Sequence, residues 1–212
     1  MRGWMTAAAL LALAPPAAAQ HEGHQGGGGL AAGWQGRVDR DGQKLEDVRF
    51  MAMGSGFHAI TGPHVILWNP GNTAAGAYTA SATFRQARAP ERPEGFGLIV
   101  GGRNLDQADQ DYLYFLVRHD GSYMVRHRAG AEVHTLVNWT AHDAIRKPTA
   151  TEGASNALAI EAGADRVRFL VNGAEVHALD RVHMLHTDGI VGFRIGHHLD
   201  VRISEFTTKP VQ

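Results

Sequence analysis

The chain has 212 residues, a formal net charge of −1 and no cysteine. Disulfides, thiolate metal ligands and cysteine nucleophiles are therefore excluded. The near-balanced charge provides no field to draw in nucleic acid or an anionic membrane surface. A chain of this length can bury a sufficient core as one domain without covalent staples.

In chain order, the opening "MRGWMTAAALLALAPPAAAQ" combines a cationic start at Arg2, an apolar run and the small residues Ala17, Ala18 and Ala19. It reads as a secretory signal peptide over residues 1–19, too short for a transmembrane anchor. The sequence thus predicts an extracytoplasmic protein, periplasmic or secreted, with no membrane span. Residues 20–33, "QHEGHQGGGGLAAG", read as a flexible Gly/His-rich linker, on which His21 and His24 do not make a closed metal site. The domain then runs over 34–212.

From Trp34 onward short β-type runs alternate with Gly, Asn, Asp and Pro. The predicted strands are Val48–Met53, His64–Trp68, Ala77–Ala87, Gly95–Val100, Tyr112–His119, Ser122–Arg128, Glu132–Val137, Asn156–Glu161, Arg166–Val171, Ala174–Leu179, Gly189–Ile195 and Leu199–Phe206. So many strands in one domain point to an all-β antiparallel sandwich or barrel. One short helical turn is predicted at Thr140–Lys147, ended by Pro148.

Two hairpins can be placed in register. In "RVRFLVNGAEVHAL" the Asn172-Gly173 pair suits a two-residue turn that sets Val171 opposite Ala174 and Phe169 opposite Val176, with Arg168 across from His177 on the other face. In "YLYFLVRHDGSYMVRHR" a two-residue turn would oppose Phe115 and Arg126. A three-residue loop, His119-Asp120-Gly121 with Gly121 at positive φ, instead gathers Leu113, Phe115, Val117, Tyr123 and Val125 on one apolar face, with His127 at its margin. The hydrophobic pattern selects the second register. The opposite face then carries Tyr112, Tyr114, Arg118, Arg126 and Arg128, aromatic plates beside guanidinium forks, a combination that suits sugars; the same residues also suit a solvent face of Arg stems over Tyr rings.

The segments "YTASATFRQ", "GFGLIVGG", "YLYFLVRHDGSYMVRHRAG", "NALAIEAGADRVRFLVNGAEV" and "DGIVGFRIGHHLDVRISEFTTKP" together resemble the concanavalin A-like, laminin-G-like jelly rolls. Among these the chain is most similar to bacterial secreted domains of the 3-keto-disaccharide hydrolase-like type, over roughly Tyr78 to Pro210. The resemblance implies a two-sheet antiparallel jelly-roll sandwich whose concave sheet receives carbohydrate. It leaves three functions open: a glycan-binding module, a hydrolase or lyase acting on 3-keto-disaccharides, and a spacer without a small ligand.

On the binding reading the ligand residues are Tyr112, Tyr114, Arg118, Arg126, Arg128, Arg168 and His177, with Arg103 and Asn104 of "GGRNL" as donors at the rim. A divalent metal has two candidate settings. Asp106, Asp109 and Asp111 in "LDQADQDY" supply oxygen ligands of the kind Ca²⁺ takes, without EF-hand spacing. His177, His183, His186, His197 and His198 supply imidazoles for Zn²⁺. Each set reads equally as polar loop residues, and no acidic pair alternates along a strand as glycoside hydrolysis would favour.

Overall fold

The computed structural model describes residues 29–149, 151–181 and 185–211. Among them fourteen strands form two seven-stranded sheets, and every pairing between these strands is antiparallel. This is the all-β jelly-roll sandwich expected. The predicted signal segment and most of the predicted linker lie outside the described residues. Toward the linker's end, Leu30 and Ala31 pack against the core, and Leu30 bridges Phe50.

The front sheet has the order β1-β4-β13-β6-β7-β8-β9. Its strands are β1 (Gln35–Val38), β4 (Val65–Ala74), β6 (Gly95–Arg103), β7 (Asp111–Arg118), β8 (Ser122–Ala129), β9 (Glu132–Ala141) and β13 (Gly189–Ile195). The back sheet has the order β12-β11-β10-β5-β14-β3-β2. It contains β2 (Val48–Met53), β3 (Gly56–Thr61), β5 (Tyr78–Gln86), β10 (Ala154–Ala162), β11 (Arg166–Val171), β12 (Ala174–Asp180) and β14 (Asp200–Pro210).

β1 and β3 were not legible as strands, because "QGRV" and "GFHAIT" are short, glycine-bearing and without clean alternation. The helical turn at Thr140–Lys147 is not formed. Thr140 and Ala141 continue β9 opposite Tyr123 and Ser122, and the chain then bends to bury Ile145. The helical element present is a 3-10 turn at Leu45–Asp47.

Alternate residues of the two sheets meet in one apolar interior, as two facing half-buried sheets require. From the front come Leu98, Phe115, Val125 and Phe193; from the back come Phe50, Phe84, Ile160 and Phe169. Toward the end where the chain enters, Trp34 stacks on Phe193 at 5.3 Å between ring centroids, and Phe206 approaches Phe193 at 4.6 Å.

The first hairpin has the register that the hydrophobic pattern selected. Phe115 faces Val125, Val117 faces Tyr123, and Arg118 faces Ser122 across the loop His119-Asp120-Gly121. Gly121 has φ +85°, and its N–H donates to the Arg118 carbonyl at 3.0 Å. An L side chain in that left-handed conformation costs about 1–2 kcal/mol, and here its Cβ would also run into the Lys147 side chain. Gly121→Ala should cost at least that amount of stability, read as a lower urea midpoint at unchanged slope, while Gly121→Asn, which tolerates positive φ, should lose less.

The second hairpin departs from expectation by one residue. Val171 does face Ala174, and Asn172 and Gly173 both have positive φ. A bulge at Phe169/Leu170 then slips the ladder, so that Phe169 faces His177 and Arg168 faces Ala178.

Candidate functional site

The outward face of the front sheet has the predicted strand phase but not the predicted exposure. Tyr112 and Tyr114 do point away from the main core, yet they are 1% and 3% exposed. They belong to a second apolar cluster with Ile66, Trp68, Ile99, Leu105, Leu116 and Met124. The β6–β7 loop supplies part of the cover: Leu105 packs into this cluster, and the Arg37 guanidinium donates to the Gln107 carbonyl. The Arg194 guanidinium lies 4.9 Å above the Tyr114 ring and donates to the Tyr112 hydroxyl at 3.0 Å. Exposed tyrosine plates for a sugar are therefore not present on this face.

Arg194 makes a two-pronged ion pair with Asp39, one bond measuring 2.9 Å. Burial pushes the Asp39 carboxyl up, and the charge and hydrogen bonds of Arg194, with further help from His64 and Arg128, more than offset it. Asp39 is therefore held below the usual carboxylate range.

The remaining hairpin arginines are half-buried and mostly tied locally. Arg118 pairs with Asp120 at 2.7 Å and lies 4.3 Å over the Trp139 ring. Arg128 Nε donates to the Gly130 carbonyl at 2.6 Å. Arg126 Nε is buried without a partner among the described residues.

Arg168 and His177 belong to the back sheet and do not join the tyrosine face. Arg168 is exposed and engages Glu161 and Glu175 at 2.6 Å each. His177 sits beside the Tyr123 ring at 6.3 Å, near the seam of the two sheets. Arg103 and Asn104 are exposed; Asn104 donates to Asp109 at 2.8 Å. The two glycines of "GGRNL" form a bulge, and Gly101 at φ +67° passes close to the His186 carbonyl.

The two metal candidates do not assemble as predicted. Asp106 and Asp109 are exposed, and Asp111 instead lies 3.2 Å from His127. His183 lies outside the described residues. His186 and His198 are exposed, and His177 lies on β12 of the back sheet, whereas His197 lies in the β13–β14 turn.

Of the predicted histidines, His197 has converging partners, and neither was foreseen. His64 Nε2 lies 3.3 Å from Glu94 Oε2, and His197 Nδ1 lies 3.5 Å from Glu94 Oε1. The two imidazoles meet edge to face with centroids 3.7 Å apart. Burial, reinforced by the nearby Arg194 and His197, pulls His64 down to about 4. Its ring is thus neutral at physiological pH and keeps a free lone pair.

Local topology explains this convergence. Antiparallel β6 and β13 run side by side, so Glu94 just before β6 and His197 just after β13 emerge together. Gly196 N donates to the Gly95 carbonyl at 2.8 Å. A Cβ on Gly196 would come within 2.8 Å of Glu94 Oε2, so glycine is what admits the carboxylate. Thr61 Oγ1 donates to the Gly196 carbonyl at 2.6 Å and accepts from Leu199 N at 3.0 Å, fixing the turn that carries both late histidines.

The same end of the sandwich holds a cleft of about 860 Å³ between segments 86–94 and 197–200. Glu94 and His197 stand on its wall, together with Arg88, Arg92, Glu91 and Asp200. Gln86, 3% exposed, also lines it, and its Oε1 has no hydrogen-bond partner among the described residues. The sequence signal for this site was weak, because "QARAPERPEG" reads as a polar loop and nothing local links it to the His197-His198 bend.

No protein-family model matches this sequence, and no curated protein does. Solved structures match it in fold. The carbohydrate binding module CBM66 from Bacillus subtilis is 10% identical with a TM-score of 0.58, covering 84% of this chain and 95% of that one. A Bacillus subtilis protein of unknown function with a galectin-like fold is 11% identical with a TM-score of 0.59, covering 84% and 89%. The exoplasmic/lumenal domain of VIP36, in a form bound to Ca²⁺ and Man3GlcNAc, is 10% identical with a TM-score of 0.56, covering 85% and 84%. The fold is the concanavalin A-like jelly roll that the sequence resemblance implied.

Proposed function

We propose that this protein is a carbohydrate-binding jelly-roll module, acting outside the cytoplasm, that takes its ligand in the loop-end cleft rather than on the tyrosine face. The observation that carries this reading is the cleft itself: its size suits a small saccharide, and its lining mixes guanidinium donors with carboxylate acceptors. Both charge signs line the cleft, which suits a neutral polyhydroxylated ligand better than a strongly ionic one. No Tyr, Trp or Phe lines it among the described residues, so recognition rests on hydroxyl hydrogen bonds more than on ring stacking. The fold shared with a carbohydrate binding module and with VIP36 agrees with this reading at the level of architecture.

A second reading has a specific observation behind it. Glu91, Glu94 and Asp200 place carboxylates along the same cleft, and paired carboxylates are what glycoside hydrolysis uses. On that reading the ligand is turned over, and 3-keto-disaccharides are the substrates to try first.

The test is a glycan screen including oxidised and ordinary disaccharides, followed by calorimetric titration of the sugars that bind and analysis for products. The double variant Arg88→Ala/Arg92→Ala should weaken binding about tenfold or more, the range expected for losing hydrogen bonds to charged groups. Binding that survives in this variant but is lost in Trp139→Ala would move the ligand to the front-sheet face and overturn the proposal. Product formation would select the hydrolase reading. Failure of every sugar to bind would leave a spacer module.

A further inference from the structure

We infer that His64, Glu94 and His197 form a binding site for one divalent transition metal ion of the Zn²⁺ class, independent of whether a sugar occupies the neighbouring cleft. Two imidazoles and one carboxylate are the ligand set that Zn²⁺ takes when one coordination position stays open. With bonds of about 2.0–2.1 Å, the ligand atoms at two corners of a tetrahedron stand about 3.3–3.4 Å apart. His64 Nε2 stands 3.3 Å from one Glu94 oxygen and His197 Nδ1 stands 3.5 Å from the other, close to such an edge in each case, so a turn of the carboxylate presents one oxygen to both imidazoles. The three ligand atoms all lie within 4.8 Å of one another, so a small side-chain rotation closes the remaining edge.

The surroundings fit an ion as well as the ligands do. The three side chains are 21% to 28% exposed, buried enough to be held by their strands and open enough for an ion to enter. Glu94 and His197 face the cleft, which leaves the remaining coordination position directed at it. The Gln43 side-chain amide lies 3.4 Å from His197 Nε2, where it can hold the ring while Nδ1 faces the metal. The Arg194 charge nearby is already neutralised by Asp39, so Glu94 is left to offset the ion. The donors are nitrogen and one carboxylate, without the multiple oxygens Ca²⁺ needs.

The experiment uses the full chain after treatment with a chelator and dialysis. Zn²⁺ titrated by calorimetry should bind at one equivalent. Co²⁺ in its place should give the visible absorption of a low-coordinate nitrogen and oxygen site. Glu94→Gln and His197→Gln should each weaken binding by at least roughly a hundredfold, since even outer partners of a metal ligand are worth about 10–100-fold, and Gln43→Ala should fall within that lower range. Circular dichroism of each variant confirms that the sheets remain. His21→Gln/His24→Gln, which removes the imidazoles near the start of the chain, should bind as the parent does. The inference is overturned if the parent protein fails to bind Zn²⁺ stoichiometrically. It is equally overturned if binding persists in folded Glu94→Gln/His197→Gln, or disappears with His21 and His24. Because the readout is the metal alone, a failed sugar screen leaves it standing, and a failed metal titration leaves the cleft's sugar proposal standing.

Discussion

Arg194→Ala should cost about 3–5 kcal/mol of folding stability, the range for removing one partner of a buried, hydrogen-bonded ion pair. Arg194 is 8% exposed, donates twice to Asp39 and once to Tyr112, and covers the Tyr114 ring. Its removal leaves the Asp39 carboxylate without its main counter-charge and opens a gap over two tyrosines. For a domain of this size each kcal/mol corresponds to roughly 2–4 °C, so the melting temperature should fall by roughly 10 °C. Asp39→Ala should lose a comparable amount. The double variant Arg194→Met/Asp39→Leu should lose clearly less than the two single losses combined, because no charge remains stranded. Urea denaturation of the four proteins measures all of this. Additive losses would mean that the two residues act separately.

Phe193→Ala should be as damaging by a different route. The ring is fully buried and has aromatic neighbours from the facing back sheet and from the segment before β1: Phe206 and Trp34 as above, Phe84 at 5.9 Å and Phe50 at 6.1 Å between centroids. Alanine removes the atom contacts at the middle of that cluster and leaves a cavity that neighbours on two strand ladders cannot collapse to fill. Phe→Ala changes of this kind cost about 3–5 kcal/mol. Exposed Met51→Ala, at a residue 41% accessible, should stay within about 0.5 kcal/mol. If Phe193→Ala cost no more than Met51→Ala, the packing of this core would be refuted.

The two hairpins show how far residue order carries a fold. In β7–β8 every alternate residue is strongly apolar, so only one register keeps Phe115 and Val125 together, and Gly121 supplies the turn conformation which that register demands. In β11–β12 the Asn172-Gly173 turn was equally plain, but the bulge beyond it was not, since a one-residue slip there leaves Val171 opposite Ala174. Strand phase is a local property, and the sequence carries it.

Exposure is not local. Whether the far face of β7 meets solvent depends on Leu105 from the preceding loop and on Arg194 from a strand some eighty residues later. "GFRI" reads as a core strand, and nothing near it announces that its arginine lies over Tyr114. The converging His64, Glu94 and His197 are hidden for the same reason. They come from three loops far apart in sequence, and the β13–β6 and β13–β4 ladders bring them to one end of the sandwich. His186 and His198, also candidates by sequence, are exposed and do not join this group.

The most direct test of the loop-end cleft as the ligand site is a ¹⁵N-labelled backbone amide map recorded while a sugar that binds in the screen is titrated into the protein. The shifted amides should cluster in segments 86–94 and 197–200, with Tyr112, Tyr114 and Trp139 unmoved. Shifts concentrated instead on β7, β8 and β9, with the cleft silent, would contradict the account.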